Sequence, residues 1–525
     1  MIRIDHLVKT IGTQTILQID HLTIDENRRI GLIGDNGAGK TTFLKLLAGR
    51  DDDFAGEIQA TLPVLYMPAV GKGDGSRTNT RDPRSPGQRQ RARLEEFLAQ
   101  NDTFLLIDEP TSHLDIRQIQ ALEESLCRRE GGYMVVSHDR DFIERTCDCI
   151  FELDDTTVEV YNGGYRFYVE ERERRKKFAQ REYNNYVKEK KRLLGVGDRL
   201  KKQSGRVRST PKRMGNSEAR LHKMGGQGNK KKLDRQVKSV QSRIEHLEKK
   251  EKPKEAAEIR LSAPASEKIH SKILIRAEHL NKQFEDCVLF QDAEFTIENG
   301  TKAALLGDNG AGKTTLVSMI LRGEGIWVHP KLKIGYYSQM GEILTEEESI
   351  LDNVVPTSIY DESMTRIVLA RLGLEGADVH KTVERLSDGE QAKTKLAKLM
   401  TSEFHFLILD EPTNFLDIAT IEALEQLLIA YDRPLLMITH DVSFIDAVAD
   451  ALLLIEDRKI RAFQGNFSDY RHRSDRKASE DEERMRIDFR LSAINAALSS
   501  NPPKGEREEL EREFQELLQR KRERS

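Results

Sequence analysis

Long apolar runs are absent from this chain. Nowhere among its 525 residues do about eighteen apolar side chains follow one another, the length a membrane-spanning helix requires, so none is expected. The opening residues, MIRIDHLVKT, lack the apolar core of a secretion signal. Cysteine is scarce as well: Cys127, Cys147, Cys149 and Cys287 form no CxxC pair and match no zinc-ligand spacing, which leaves a reducing cytoplasm as the simplest setting. Aromatic residues reach only 6%, with a single tryptophan, whereas charged residues make up 33%. That balance describes a heavily charged surface or long exposed helices, and the length suffices for two or three domains with real cores.

The net charge of -4 conceals an asymmetry. Residues 171–250 hold 27 Lys or Arg against 9 Asp or Glu, a local balance of +18, and the remainder of the chain is acidic. Within that region, residues 199–232 carry twelve basic residues and one acidic residue, interrupted by Gly, Ser and Pro. Such a segment does not read as packed core. The whole-chain charge argues against a nucleic-acid partner, whereas the regional charge argues for one.

The chain is built twice. "GLIGDNGAGKTTFLKLLAG" at 31–49 returns as "ALLGDNGAGKTTLVSMIL" at 304–321, and "FLLIDEPTSHLD" at 104–115 returns as "FLILDEPTNFLD" at 406–417. "VVSHDRDFIERTCD" at 135–148 has its partner in "MITHDVSFIDAVAD" at 437–450. Glu109 to His138 spans 29 residues, as does Glu411 to His440, and Ser85 to Asp108 spans 23, as does Ser387 to Asp410. One interval differs: Ala69 to Ser85 is 16 residues, but Gln339 to Ser387 is 48. The first copy has lost most of a helical subdomain that the second retains. Short apolar runs such as RRIGLIG and TKAALLG read as strands feeding glycine-rich turns and helices, so each copy is α/β.

Between the copies, residues 168–198 and 233–252 are rich in Glu, Lys, Arg and Gln, with sparse apolar positions. Phe178, Tyr183, Tyr186, Val187 and Leu193 recur in the first, and Val237, Val240, Ile244 and Leu247 in the second. Two long helices paired as an antiparallel hairpin fit this pattern, each reaching about 45 Å at 1.5 Å per residue. The basic stretch falls at the hairpin's far end. The boundaries follow: a first domain over 1–167, the hairpin over 168–252, a linker over 253–272, a second domain over 273–475 and a helical extension over 476–525. The extension reads as two amphipathic helices around "NPPKG", packed on a domain or touching a partner.

Both copies contain G-x-x-x-x-G-K-T: Gly34, Gly37, Gly39, Lys40 and Thr41, then Gly307, Gly310, Gly312, Lys313 and Thr314. After a strand and before a helix, this loop lets backbone N–H groups converge on phosphate oxygens. Its Lys reaches the β and γ phosphates and its Thr coordinates Mg²⁺. A bland glycine turn would explain one such loop poorly and two far worse. Asp108 and Asp410 end apolar strands and suit the magnesium shell, and Glu109 and Glu411 follow, placed to orient or deprotonate the attacking water. His138 and His440, equally spaced downstream, read as sensors of the γ-phosphate. Acidic strand ends and core histidines would explain these residues singly but not their matched spacing.

Two P-loops, "LSDGEQ" at 386–391, "DEPTSHLD", "DEPTNFLD", "SHD" and "THD" together resemble the ATP-binding cassette proteins. A charged linker between tandem cassettes, without membrane spans, is similar to the F subfamily, the ribosome-associated translation factors, over roughly residues 1–475. The resemblance implies two cassette domains closing head-to-tail within one monomer around two ATP molecules with Mg²⁺. Site one would join Asn36, Lys40, Thr41, Thr42, Asp108, Glu109 and His138 to Ser387, Gly389 and Glu390. Site two would join Asn309, Lys313, Thr314, Thr315, Gln339, Asp410, Glu411 and His440 to Ser85, Gly87 and Gln88, with Gln339 also near the metal. Phe284 would stack on adenine; its counterpart is Ile11.

Three departures from the family pattern stand out. The first signature reads RSPGQ at 84–88, where Pro86 removes a backbone donor and restricts φ. Ala69 replaces the first Q-loop glutamine, in "YMPA" against "YYSQ". Ile11 stands where the second copy has Phe284. Both glutamates remain, so ATP hydrolysis is expected, unequal between the sites.

The short first helical subdomain, the long hairpin and "TPKRMGNSEARLHKM" at 210–224 are similar to the bacterial antibiotic-resistance branch. That branch implies binding of the 70S ribosome at the exit-tRNA site. It also implies contact of residues 199–232 with 23S rRNA and peptidyl-site tRNA, and displacement of lincosamide, streptogramin A or pleuromutilin drugs. Lys202, Arg206, Arg208, Lys212, Arg213, Arg220 and Lys223 are the leading RNA contacts. Alternatives are a housekeeping translation factor of the same subfamily and the ATPase half of a drug exporter. The exporter would need a membrane partner and leaves the +18 unused. A DNA-repair cassette ATPase, and with it a DNA partner, is disfavoured because CxxC zinc modules are missing.

Overall fold

The computed structural model describes residues 1–69, 94, 96–100, 102–112, 114–206, 226–250, 269–284, 287–338, 341 and 343–473. Beyond these it describes 490, 491, 494, 512, 514, 515, 517 and 519. Strands β1 (Ile2–Ile11), β2 (Gln14–Ile24) and β4 (Ala55–Ala60) form an antiparallel sheet with β1 in the middle. Burial in β1 falls at Ile2 and Ile4 and then, past an irregularity where His6 takes a φ of 51°, at Leu7 and Lys9, so the alternation shifts by one residue there.

β3 (Arg29–Gly34) is different, buried without interruption from Ile30 to Ile33. A strand apolar on both faces belongs inside a parallel sheet. It lies in the six-stranded order β5 (Val64–Met67), β6 (Phe104–Asp108), β7 (Tyr133–Val136), β3, β8 (Cys149–Asp154), β9 (Thr157–Tyr161). Helices α1 (Lys40–Leu47), α2 (Ile116–Arg128) and α3 (Arg140–Thr146) connect these strands, and Phe43 and Leu44 of α1 are fully buried.

The second cassette repeats the plan. β10 (Ile273–Phe284), β11 (Cys287–Glu298) and β13 (Trp327–Val328) make its antiparallel sheet. Its main sheet runs β14 (Ile334–Tyr337), β15 (Phe406–Asp410), β16 (Leu435–Ile438), β12 (Lys302–Leu306), β17 (Ala451–Glu456), β18 (Lys459–Gln464), with only β18 recorded as antiparallel. Between β5 and β6 lie 36 residues; between β14 and β15 lie 68. The second cassette spends the difference on α7 (Ile350–Val354) and α8 (Glu362–Arg371), between α6 (Lys313–Arg322) and α9 (Asp388–Thr401); residues 94 and 96–98 are helical at the place in the first cassette that matches α9. Val368, Leu369, Leu396, Ala397 and Met400 bury themselves in a core continuous with Leu407 and Leu424. α10 (Ile418–Ala430) and α11 (Val442–Val448) complete the domain.

Residues 161–258 form a separate compact unit. Its first helix, α4 (Tyr165–Arg206), has 42 residues, about 63 Å at 1.5 Å per residue. α5 (Gly226–Glu245) runs antiparallel to it. Ser204 Oγ donates to Asp234 Oδ1 at 2.6 Å, Gly197 faces Val240, and Lys250 lies 3.7 Å from Glu182. The helices extend further toward the tip than 168–198 and 233–252. Gly195, Gly197 and Gly205 each weaken a helix by up to about 1 kcal/mol, and packing between the helices offsets this. The buried seam is also narrower than the sequence pattern implies. Leu193 and Val237 are buried, but Phe178 is 65% exposed and Val187 40% exposed. In the C-terminal extension the described residues are all helical, with Leu491 and Ile494 buried.

Candidate functional site

The phosphate loop of each cassette leaves its sheet strand and turns straight into a helix. Gly39 and Gly312 occupy the N-cap positions of α1 and α6 with φ of 103° and 101°, a conformation that glycine adopts without strain. Neither cap supplies a side-chain acceptor, so the helix N–H groups stay available to an anion. Lys40 Nζ donates to the carbonyls of Gly34 (2.6 Å) and Asp35 (3.0 Å), and Lys313 Nζ to those of Gly307 (2.7 Å) and Asp308 (3.3 Å). Each ammonium is thus folded over its own loop. Burial lowers both lysine pKa values, and the surrounding carboxylates, Glu109 first for Lys40 and Glu411 first for Lys313, oppose that shift.

Asp108 and Asp410 close their strands beside these loops. Asp108 Oδ2 accepts from Thr41 Oγ1 at 2.9 Å and from the Tyr66 hydroxyl at 3.2 Å; Asp410 Oδ2 accepts from the Tyr336 hydroxyl at 3.1 Å. A threonine hydroxyl beside a carboxylate is an all-oxygen donor set that suits Mg²⁺. Thr41 with Asp108 are therefore the residues that would hold it, and by the duplication so would Thr314 with Asp410.

Glu109 and Glu411 follow with φ of 48° and 51°, left-handed values that cost a glutamate roughly 1–3 kcal/mol. Each glutamate N–H bonds a neighbouring strand, to Val136 O and Ile438 O, which anchors the turn on one side. His138 Nε2 stands 3.1 Å from Glu109 Oε1, yet among the described residues that buried oxygen has no hydrogen-bonded partner. His440 Nε2 stands 3.5 Å from Glu411 Oε1. Burial, then the adjoining Asp108 or Asp410, pushes Glu109 and Glu411 up to about 8. Burial, then the nearby lysine, holds His138 down to about 3 and His440 down to about 4. At neutral pH both imidazoles are uncharged, and each glutamate's proton affinity lies near the operating pH of a general base.

The two cassettes meet head-to-tail. Asn36 Nδ2 donates to Phe415 O at 2.5 Å, and Asn36 N to Asp417 Oδ2 at 3.4 Å. On the opposite side Asn309 N donates to Asp115 Oδ2 at 3.3 Å. Ser387 caps α9 in a reciprocal capping box with Glu390. A Cβ at Gly389 would lie 2.9 Å from Phe415 O and 3.2 Å from Asn36 Nδ2, so only glycine allows this approach. The structure therefore brings Asn36, Lys40, Thr41, Asp108, Glu109 and His138 together with Gly389 and its helix cap. Thr42 and Thr315 are half-buried in the first turns of α1 and α6.

Phe284 ends β10 as Ile11 ends β1; both are exposed, and Lys282 Nζ lies 5.2 Å from the Phe284 ring. Strand register equates Ala69 with Gln339, because Val64 pairs with Phe104 as Ile334 pairs with Phe406. Lys202 and Arg206 are exposed on the last turns of α4. Ser85, Pro86, Gly87, Gln88, Gln339, Arg208, Lys212, Arg213, Arg220 and Lys223 lie outside the described residues.

Four residues of this site escaped the sequence reading. Tyr66 and Tyr336 hold the metal-site carboxylates. Asp115 and Asp417 each cap their own helix with one oxygen, accepting from Gln118 N and Thr420 N, and reach the other cassette's loop with the second. All four are identical in both copies, which is the signal that could have found them.

Comparison with known proteins gives a consistent picture. The sequence model of the family described as ABC transporter matches residues 17–80 and 290–414. The chain is 30% identical to the ribosome protection protein VmlR of Bacillus subtilis, covering 97% of this chain and 96% of that protein. It is 32% identical to the erythromycin resistance ATP-binding protein MsrA of Staphylococcus epidermidis, covering 83% and 93%. It is 27% identical to the energy-dependent translational throttle protein EttA of Escherichia coli, covering 87% and 92%. Among solved structures, the archaeal ribosome recycling factor aABCE1, in complex with stalk protein aP1, aligns with a TM-score of 0.56 at 19% identity, over 88% of this chain and 90% of that one. That likeness concerns the fold.

Proposed function

Because this chain belongs to the F subfamily of ATP-binding cassette proteins, in its ribosome-associated antibiotic-resistance branch, we propose that it couples ATP binding in the cytoplasm to protection of the 70S ribosome from drugs of the peptidyl-transferase centre. It is an ATPase. In this reading it enters the exit-tRNA site with its cassettes closed and presents residues 199–232 to 23S rRNA and peptidyl-site tRNA. Bound lincosamide, streptogramin A or pleuromutilin then loses its hold.

The observation that carries the reading is α4, 42 residues long and ending in Lys201, Lys202 and Arg206, set between tandem cassettes. The names of VmlR and MsrA support drug protection, and the name of EttA supports a translational role. An exporter component would have no use for this basic hairpin.

Within each site the loop amides and Lys40 or Lys313 would bind the phosphates. Magnesium, when bound through Thr41 and Asp108 or Thr314 and Asp410, would supply charge neutralisation at the phosphate oxygens. Glu109 and Glu411 would take the proton of the attacking water; the unpartnered Glu109 Oε1 is an acceptor of the kind such a water needs. His138 and His440, neutral, would hold that water and the terminal phosphate in line. Asp115 and Asp417 would tie each loop to the opposite cassette, so that both halves must be present.

Replacing Glu109 and Glu411 together with Gln should trap an ATP-bound form that pellets with 70S ribosomes. If that form sediments free, ribosome engagement is wrong. Inhibitory concentrations across ribosomal drugs, with and without the gene, then decide the drug class. No change for any drug would favour a housekeeping translation factor.

A further inference from the structure

Arg140 is the first residue of α3, two positions after His138. Its guanidinium forms a two-pronged pair with Glu425 of α10, in the other cassette: Nη1 to Oε2 at 3.2 Å, and Nη2 to Oε1. Both side chains are close to buried, 14% and 11% exposed. A two-pronged guanidinium–carboxylate pair fixes orientation as well as distance.

The duplication shows what is unusual here. Position 140 corresponds to Val442 in the second copy, and 145 corresponds to Ala447. Glu425 corresponds to Glu123, which pairs with Arg145 at 3.1 Å inside its own cassette. Glu123 thus takes its hydrogen bond within its own cassette, with Arg471 of the other cassette acting on it only as a nearby charge, whereas among the described residues Glu425 takes its guanidinium across the interface. Among the described residues another ion pair crosses, Arg117 with Asp308 at 3.0 Å, but it is 77% and 54% exposed, where water and salt weaken it. Around Arg140 the buried carboxylates Asp139 and Asp441 cap α3 and α11. Asp441 and Glu425 each carry a load that Arg140 relieves.

The clamp belongs to one ATP site. Arg140 is held on the strand-to-helix turn that carries His138. Glu425 sits on the helix capped by Asp417, whose free oxygen meets Asn36. We propose that Arg140 and Glu425 are positioning residues of site one: they keep its two halves joined, so the cassettes open about site one and exchange nucleotide first at site two. This rests on the ATPase reading alone and is independent of ribosome binding.

The test loads labelled ATP into Glu109→Gln, which traps site one, and separately into Glu411→Gln, which traps site two, and follows release during a chase with unlabelled ATP. Adding Arg140→Val, the residue of the second copy, should speed release from the first background roughly tenfold and leave the second nearly unchanged. Glu425→Gln should do the same, and the two together should add little, because they remove one shared interaction. Arg140→Lys keeps the charge but not the fork, and should fall between. Equal acceleration in both backgrounds, as general loosening would give, overturns the proposal. So does no acceleration in either.

Discussion

Tyr336→Phe removes one oxygen and leaves the ring's packing in place. That oxygen donates to Asp410 Oδ2 at 3.1 Å. Burial raises the Asp410 carboxyl above its usual range, and Tyr336 and Lys313 pull it back. A hydrogen bond to a charged group contributes about 1.5–3 kcal/mol; Asp410 is partly exposed, so water replaces some of it and the lower end applies. About 1.4 kcal/mol is a factor of ten in an equilibrium constant, so losing the bond weakens the ionised carboxylate by roughly tenfold and pushes its pKa further up. Only the ionised carboxylate serves the metal site. It is lost as pH falls through its pKa, so magnesium binding through Asp410 should weaken on the acid side by up to roughly tenfold in the variant.

Stability shifts in a matching way. The folded protein already holds this proton more tightly than the unfolded chain, whose value is near 3.8. Charging Asp410 thus opposes folding as pH rises through the folded value, and the variant should lose more stability than the wild type over that window. The assay is magnesium affinity of the ATP-bound protein across the acid range, since turnover itself follows the glutamates near 8, with thermal unfolding in the same buffers. Magnesium affinity with an unchanged pH dependence in Tyr336→Phe would refute the argument.

Gly389→Ala should block closure, since its Cβ would press on Phe415 O and Asn36 Nδ2; ATPase falls steeply while the thermal midpoint of unfolding barely moves, and normal turnover would separate Gly389 from the interface. Phe284→Ala should weaken ATP binding by the stacking free energy of a base on an aromatic ring, about 1–3 kcal/mol, measured by equilibrium dialysis. Unchanged affinity would remove Phe284 from the site. Shortening residues 202–231 should abolish drug protection with basal ATPase nearly intact; protection that survives would place the protective element elsewhere.

The α/β class, the duplication and the phosphate loops were legible because each follows from local residue order. A strand that must bury both faces is apolar throughout, a loop that must bring amides to phosphate needs glycines at fixed spacing, and a repeated domain repeats its intervals. The hairpin was legible in kind but not in extent. Glycines 195, 197 and 205 argue for an early stop, whereas α4 continues because α5 packs along it. Phe178 and Val187 look like seam residues in the pattern and are exposed in fact, since periodicity names a face without measuring its width.

The sequence by itself therefore determined the chemistry: two copies of a nucleotide-hydrolysing domain and a basic arm between them. The tertiary structure decided the pairing. Tyr66 reaching Asp108, Asp417 reaching Asn36 and Arg140 reaching Glu425 join residues 42, 381 and 285 positions apart. No local pattern encodes such separations, because they arise only when two folded surfaces close on each other. The unequal clamp has the same origin: Val442 in place of Arg140 is an ordinary substitution until the opposing glutamate is seen.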